Sequence, residues 1–191
     1  MGLHRWGMTE AKDSRRRSKM GSKLTPIGAV ARGLASGAVG TLAMDLVWYA
    51  RHRREGGTTP FADWETAAGL DDWKNAPAPA QVGKRLVEGL VQRELKAERA
   101  RLTTNVVHWT YGMLWGAAYG IIVGSTRKPR TMYGLLFGPL VWSTAYVALP
   151  PTGIYKPMRE YDARTLWKDA SAHLAFGLGT SAAYRFMAGR G

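Results

Sequence analysis

Long apolar segments alternate with charged segments along this chain. Four segments are almost free of charge, and each is about as long as the ~20 helical residues that span a bilayer core; they are 26–50, 103–125, 131–149 and 167–188. Aromatic residues cluster near their ends, as at the two surfaces of a membrane. The pattern predicts an all-α polytopic membrane protein with four transmembrane helices. A soluble helical bundle with very apolar helices is the alternative.

The first and fourth segments contain formal charges. Arg32 and Asp45 lie in the first, and Lys168, Asp169 and Arg185 lie in the fourth. A charge at the centre of a membrane helix costs roughly 2.5–3.5 kcal/mol. These charges lie within about two turns of a segment end, where long side chains reach the interface and the cost falls. We therefore expect all four segments to cross the membrane.

The segments between the spans suggest one membrane domain with a basic tail. Residues 1–24 form the tail, which we expect to be disordered, and 25–191 form the domain. In the loop 51–102, apolar residues recur at helical spacing from Gln81 to Leu95, with charged residues between them. This pattern indicates an amphipathic helix that lies on the membrane surface or covers the bundle.

The charge balance is strongly basic, with 27 Lys and Arg against 14 Asp and Glu, a net charge of +13. Because the basic residues flank apolar segments, we expect a lipid bilayer rather than nucleic acid as the partner, with anionic lipid near the tail. The basic tail and the basic loop 127–130 place both termini in the cytoplasm. The chain has no Cys, and no phosphate-binding loop or nucleophile elbow, so we do not expect an enzyme.

Small residues recur every four positions in the apolar segments. Such spacing lets helix backbones approach closely and predicts a tightly packed bundle. It also allows a homo-oligomer or a larger membrane complex. The positions are Gly33, Gly37 and Thr41 in the first segment, Gly112, Gly116, Gly120 and Gly124 in the second, Gly134 and Gly138 in the third, and Gly177 and Ser181 in the fourth.

In three of the segments, the four-residue spacing of small residues continues to an ionisable side chain. Asp45 follows Thr41 by four residues, and His108 and His173 precede Gly112 and Gly177 by four. Residues four apart share a helix face, so all three side chains should point inward. At 1.5 Å per residue, each lies roughly 7–9 Å below the same surface. We expect an Asp/His/His layer there; the residues that can join it are Asn105, Asp169 and Tyr146.

Three interpretations of this layer remain open. Its polar groups can hydrogen-bond across helices and fix the register of the bundle. They can form a proton- or ion-responsive site, because imidazole titrates near neutrality. They can also hold a metal or haem, since two His and one carboxylate suit Zn or non-haem Fe and two His suit haem.

Two runs of sequence resemble the YagU-like family of small bacterial inner-membrane proteins. The run from His108 to Gly120 resembles the middle span of that family, and Leu149-Pro-Pro-Thr-Gly153 with the later Asp169-Ala-Ser-Ala-His173-Leu resembles its turn and following helix. The chain is also similar to actinobacterial membrane proteins that share Thr41-Leu-Ala-Met-Asp45 and a loop of the Trp64-Glu type. The first span departs from the YagU-like pattern. The resemblance implies a polytopic inner-membrane protein, loosely linked to acid tolerance, and supplies no catalytic residues.

Overall fold

The computed structural model describes residues 25–126 and 129–189, and their regular secondary structure is entirely helical. The α-helices are α1 (Pro26–Arg54), α2 (Phe61–Glu65), α3 (Ala78–Val91), α4 (Ala100–Gly124), α5 (Gly134–Ala148) and α6 (Ala163–Ala188). This confirms the all-α prediction. The expectations for the tail 1–24 and for Arg127 and Lys128 concern residues outside this description.

Local sequence explains where the long helices begin. The hydroxyl of Thr25 accepts a hydrogen bond from the backbone N–H of Gly28 at 3.1 Å, and Pro26 occupies the first turn of α1. Asp162 caps α6 in the same way, accepting from the backbone N–H of Thr165 at 2.9 Å. Because Asp162 caps it, α6 begins at Ala163, four residues before the predicted span at 167. The amphipathic helix α3 ends at Val91, four residues before Leu95, because Gln92 adopts a left-handed conformation.

Three pairs of long helices pack backbone against backbone. A Cβ atom on Gly116 of α4 would collide with the backbone of Gly33 and Gly37 of α1. A Cβ on Gly177 of α6 would collide with Gly134 and Gly138 of α5. At the contact of α1 with α6, a Cβ on Gly40 would collide with the Thr180 hydroxyl and the backbone oxygen of Phe176. The helices therefore follow one another in the order α4, α1, α6, α5, each held close by residues without bulky side chains.

The fourth side, between α4 and α5, is built differently. Among the described residues, these two helices make no extensive backbone contact. At one end of this side, aromatic rings fill the gap: the ring centroids of Tyr119 and Phe137 lie 4.8 Å apart, and those of Tyr119 and Tyr184 lie 5.7 Å apart. At the other end, close to the C-terminus of α1, the gap is a cavity.

Small polar side chains lie in the interior beside an aromatic and aliphatic cluster, and many large apolar side chains are exposed. The largest fully buried side chains are Tyr184, Thr41, Thr180, Ser36 and Ser181. Large apolar side chains face outward instead, as in Leu136, which is 78% exposed, and Ile122, which is 67% exposed. The segments Pro26–Arg54 and Thr131–Thr152 are long and apolar enough to cross a membrane, whereas α4 and α6 do not reach the same mean hydropathy.

Candidate functional site

A cavity of about 430 Å³ lies between α4 and α5 and is bounded by α1 and α6. The N-terminal turn of α3 and the loop residue Tyr155 also contribute to its wall. Most of its surface is apolar. The lining side chains that carry a hydroxyl group or an imidazole are Thr41, His108, Tyr111, Thr144, Tyr155 and His173. Because both predicted histidines line it, we call it the histidine cavity.

The first carboxylate–imidazole pair joins α1 to α4. Nε2 of His108 lies 3.0 Å from each oxygen of Asp45, and Asp45 is only 5% exposed. The structure therefore places Asp45 and His108, which are 63 positions apart in sequence, in contact with each other. The glycine contacts between α1 and α4 hold the two backbones close, which places the short Asp side chain within reach of the ring.

Glu65, at the end of α2, adds a third ionisable group to this pair. Both of its carboxyl oxygens are buried without a hydrogen-bond partner. Burial, reinforced by the nearby Asp45 carboxylate, raises the pKa of Glu65 to about 7. A buried, unpartnered carboxylate is costly, so the protonated form of Glu65 is favoured.

Sequence analysis did not identify Glu65 as a site residue. The segment Trp64-Glu65 stood out only as part of a loop resemblance, because it lies outside the long apolar segments whose four-residue spacing identified Asp45 and His108. The available signal was an acidic residue in an aromatic segment directly after a long apolar helix. Phe61 and Trp64 hold that segment against Tyr49 of α1, with ring centroids 5.1 and 5.4 Å from the tyrosine ring.

The second carboxylate–imidazole pair lies within α6. Nδ1 of His173 donates to the backbone oxygen of Asp169 at 3.0 Å and lies 3.3 Å from its carboxylate. The hydroxyl of Tyr146, on α5, donates to the other oxygen of that carboxylate at 2.9 Å. Asp169 and Tyr146 therefore join His173. The predicted single layer consists of two separate pairs whose imidazoles both reach the histidine cavity.

Asn105 does not join either pair. Its amide donates to the backbone oxygen of Thr66 at 3.0 Å and to that of Arg101 at 2.8 Å, so it ties α4 to the end of α2. Arg101 reaches the same turn, where its guanidinium donates to Thr66. The role of Asn105 is thus to hold the α2 segment, and with it Glu65, close to the Asp45–His108 pair.

The structure gives no support to a three-ligand metal centre. Within residues 25–126 and 129–189, no group of three His, Asp or Glu side chains is arranged to hold a metal ion. His108 and His173 each belong to a separate pair, with one ring nitrogen of each occupied by a hydrogen bond.

The loop side of the cavity wall is held uncharged. Burial, together with the Asp169 carboxylate, raises the pKa of the Tyr155 hydroxyl to about 12, so Tyr155 remains a neutral phenol. The rings of Tyr146 and Tyr161 pack against it at centroid distances of 5.3 and 6.2 Å. A neutral aromatic wall with two imidazoles suits a small, mostly apolar molecule that also makes hydrogen bonds.

Comparison with known proteins gives no relative for this arrangement. No protein-family model, no curated protein and no solved structure matches the chain. The resemblance to the YagU-like family therefore stays a prediction.

Proposed function

We propose that this protein is a four-span integral protein of the bacterial inner membrane, and that the histidine cavity is a proton-responsive binding site rather than a catalytic centre. The observation that carries this proposal is that two imidazoles, each paired with a carboxylate, line one apolar cavity. Both termini face the cytoplasm, as the distribution of basic residues favours. The resemblance to proteins linked to acid tolerance agrees with a response to protons.

The distribution of side chains supports four spans. In water, the large apolar side chains that every long helix exposes, beside helix contacts lined by glycine, would be unfavourable. In lipid, the same arrangement is favourable, because small residues allow close packing and the apolar side chains face the acyl chains. α4 and α6 have 25 and 26 residues, which at 1.5 Å per residue exceed a hydrocarbon core of about 30 Å.

The positive charge of Lys168, near the start of α6, is compensated by a carboxylate. Lys168 pairs with Glu55, with 2.5 Å between Nζ and Oε1. This pair lowers the pKa of the Glu55 carboxyl, chiefly through the hydrogen bond from Lys168. Arg51 of α1 donates to the backbone oxygen of Lys168 and to the hydroxyl of Ser171. These contacts form a polar layer where α1 ends and α6 begins, as expected at a membrane surface.

Cysteine accessibility tests the number of spans, and the chain is suited to it because it contains no Cys. Single variants Thr58→Cys, Ser125→Cys and Arg159→Cys place one thiol in each exposed connection. Four spans predict that an impermeant maleimide labels residues 58 and 159 from one side and residue 125 from the other. If only α1 and α5 crossed the membrane, residues 58 and 125 would share a side. That result would overturn the four-span proposal.

Several ionisable groups surround His108. Asp45 on α1 and Glu65 on α2 both interact with His108 on α4, and Trp109 lies beside this cluster. Imidazole changes charge between about pH 5 and 8, and a carboxyl group that titrates near 7 shares that range. Proton uptake therefore changes the net charge of a cluster that joins three helices and borders the cavity.

Nuclear magnetic resonance of ¹³C-labelled histidine tests this response. The signals of His108 and His173 are assigned by His108→Gln and His173→Gln, with His52→Gln as the matched control outside the cavity. We expect the His108 signal to titrate between about pH 5 and 8 and to shift its midpoint in Glu65→Gln. A His108 signal that stays unchanged over this range would reduce the pair to a contact that fixes helix register.

A further inference from the structure

We propose that the histidine cavity binds the ring of a lipid-soluble aromatic diol, the chemical class of the membrane quinols. This inference rests on the proposed function, since it names the ligand of the same site. It concerns binding alone and includes no electron transfer.

The hydrogen bonds that the two imidazoles already make indicate that such a ligand must donate hydrogen bonds. The backbone oxygen of Asp169 only accepts, so Nδ1 of His173 carries a hydrogen. Likewise, Nε2 of His108 donates to the Asp45 carboxylate. In each neutral ring the other nitrogen, Nδ1 of His108 and Nε2 of His173, is then an acceptor. No described residue donates to either acceptor, so a ligand in the cavity is left to supply the donor.

The rest of the wall selects for a flat, apolar molecule. Trp48, Trp115, Tyr111 and Phe176 bring four aromatic rings to the cavity. Aromatic rings pack favourably in stacked or edge-to-face arrangements. The volume of about 430 Å³ falls within the roughly 300–1,000 Å³ of small-molecule sites. An aromatic ring with hydroxyl groups satisfies both the apolar wall and the two acceptor nitrogens.

The fold also provides a route from lipid to the cavity. α4 and α5 make no extensive backbone contact, and their contacts next to the cavity are made by side chains. One of these is Tyr111 with Thr144, whose hydroxyls lie 3.4 Å apart across the gap. Tyr111 is half-exposed, so its side chain lies where a molecule from the bilayer would enter.

The decisive experiment compares a quinol with a molecule of the same shape that cannot donate. Full-length protein in lipid nanodiscs is titrated with decyl-benzoquinol under argon and, separately, with the dimethyl ether of that quinol. Partitioning into lipid affects both probes. We expect saturable binding of one quinol per chain, at least about tenfold tighter than the ether. Lower pH should weaken quinol binding, because a protonated imidazole no longer accepts.

Two variants locate the binding in the histidine cavity. His173→Leu removes one acceptor and leaves Asp169 its hydrogen bond from Tyr146. Ala145→Leu fills part of the cavity without removing a hydrogen bond. Both should weaken quinol binding at least about tenfold, whereas the control His52→Leu, which does not line the cavity, should bind like the unmodified protein.

Specific results would overturn the ligand assignment. These are equal binding of quinol and ether, unchanged binding in both His173→Leu and Ala145→Leu, or tighter binding of the oxidised quinone than of the quinol at neutral pH. If cysteine labelling supports four spans and His108 titrates while any of these results is obtained, the ligand class alone is wrong. If labelling contradicts four spans, the membrane proposal itself fails.

Discussion

The sides of the molecule on which α1 and α6 pack differ from the side between α4 and α5. On the first, backbones touch, and a single added methyl group has no room. On the second, the backbones separate, and large rings and a cavity occupy the space. One small bundle thus combines a rigid set of helix contacts with a cavity that can bind a ligand. Three glycine-lined contacts fix the frame, and the remaining gap leaves polar side chains accessible.

The largest effect should come from adding one methyl group to a glycine-lined contact. In Gly116→Ala the new Cβ would meet the backbone of Gly33 and Gly37, which cannot move as a flexible side chain can. We expect a loss of at least about 3 kcal/mol in the free energy of unfolding. Thermal unfolding in detergent would measure it.

Gly89→Ala is the matched control for that substitution. Gly89 lies in α3, and a Cβ there meets no atom within 4 Å. The same change should stabilise by up to about 1 kcal/mol, because alanine is the better helix former. A similar response of the two variants would contradict close backbone packing between α1 and α4.

The next effect distinguishes the two carboxylate–imidazole pairs. Asp45→Asn weakens a buried contact between α1 and α4, and we expect a loss of about 2 kcal/mol. Asp169→Asn should cost less, about 1 kcal/mol, because His173 keeps its hydrogen bond to the backbone oxygen of residue 169. Unfolding of both variants under identical conditions tests the order. The reverse order would show that the pair within α6 contributes more to stability than the pair that joins two helices.

The sequence predicted the frame well because its signals are local. Uncharged length indicated the four long helices, and the four-residue spacing identified Gly33, Gly37, Gly116 and Gly177, which the structure places at helix contacts. The same four-residue spacing, with depth counted along each helix, predicted that Asp45 and His108 lie close together. Depth along an ideal helix is enough to place residues when two helices run antiparallel and touch.

What the sequence did not predict depends on loops and on helix order. Glu65 reaches the Asp45–His108 pair because aromatic contacts and hydrogen bonds at Thr66 fold a loop back against α4. His173 is separate from that pair because the backbone oxygen and carboxylate of Asp169 satisfy one of its nitrogens within α6. The position of Glu65 does not follow from periodicity, because it depends on how a loop folds back. The four-residue spacing of Asp169 and His173 was visible in the sequence, but the partner that His173 takes depends on which group lies nearest in three dimensions.

A smaller effect concerns Glu65 and pH. The pKa of Glu65 is about 7 in the folded protein and near 4.5 in the unfolded chain, so the folded state binds the proton more tightly. The contribution of Glu65 to stability is therefore greatest below about pH 4.5 and falls as the pH rises to about 7. We expect this contribution to be on the order of 1 kcal/mol, because Glu65 as a whole is only half-buried. Glu65→Gln should remove this part of the pH dependence, and an unchanged profile would contradict a raised pKa.

The smallest effect should come from adding bulk on the open side. Ala145→Leu places three additional carbon atoms in the histidine cavity, where the added side chain gains apolar contacts instead of meeting backbone. We expect the free energy of unfolding to change by less than about 1 kcal/mol, measured in the same detergent as Gly116→Ala. If the leucine destabilised the protein as much as Gly116→Ala, the gap between α4 and α5 would be as tightly packed as the other sides. The difference between the two kinds of side, on which access to the imidazoles depends, would then be lost.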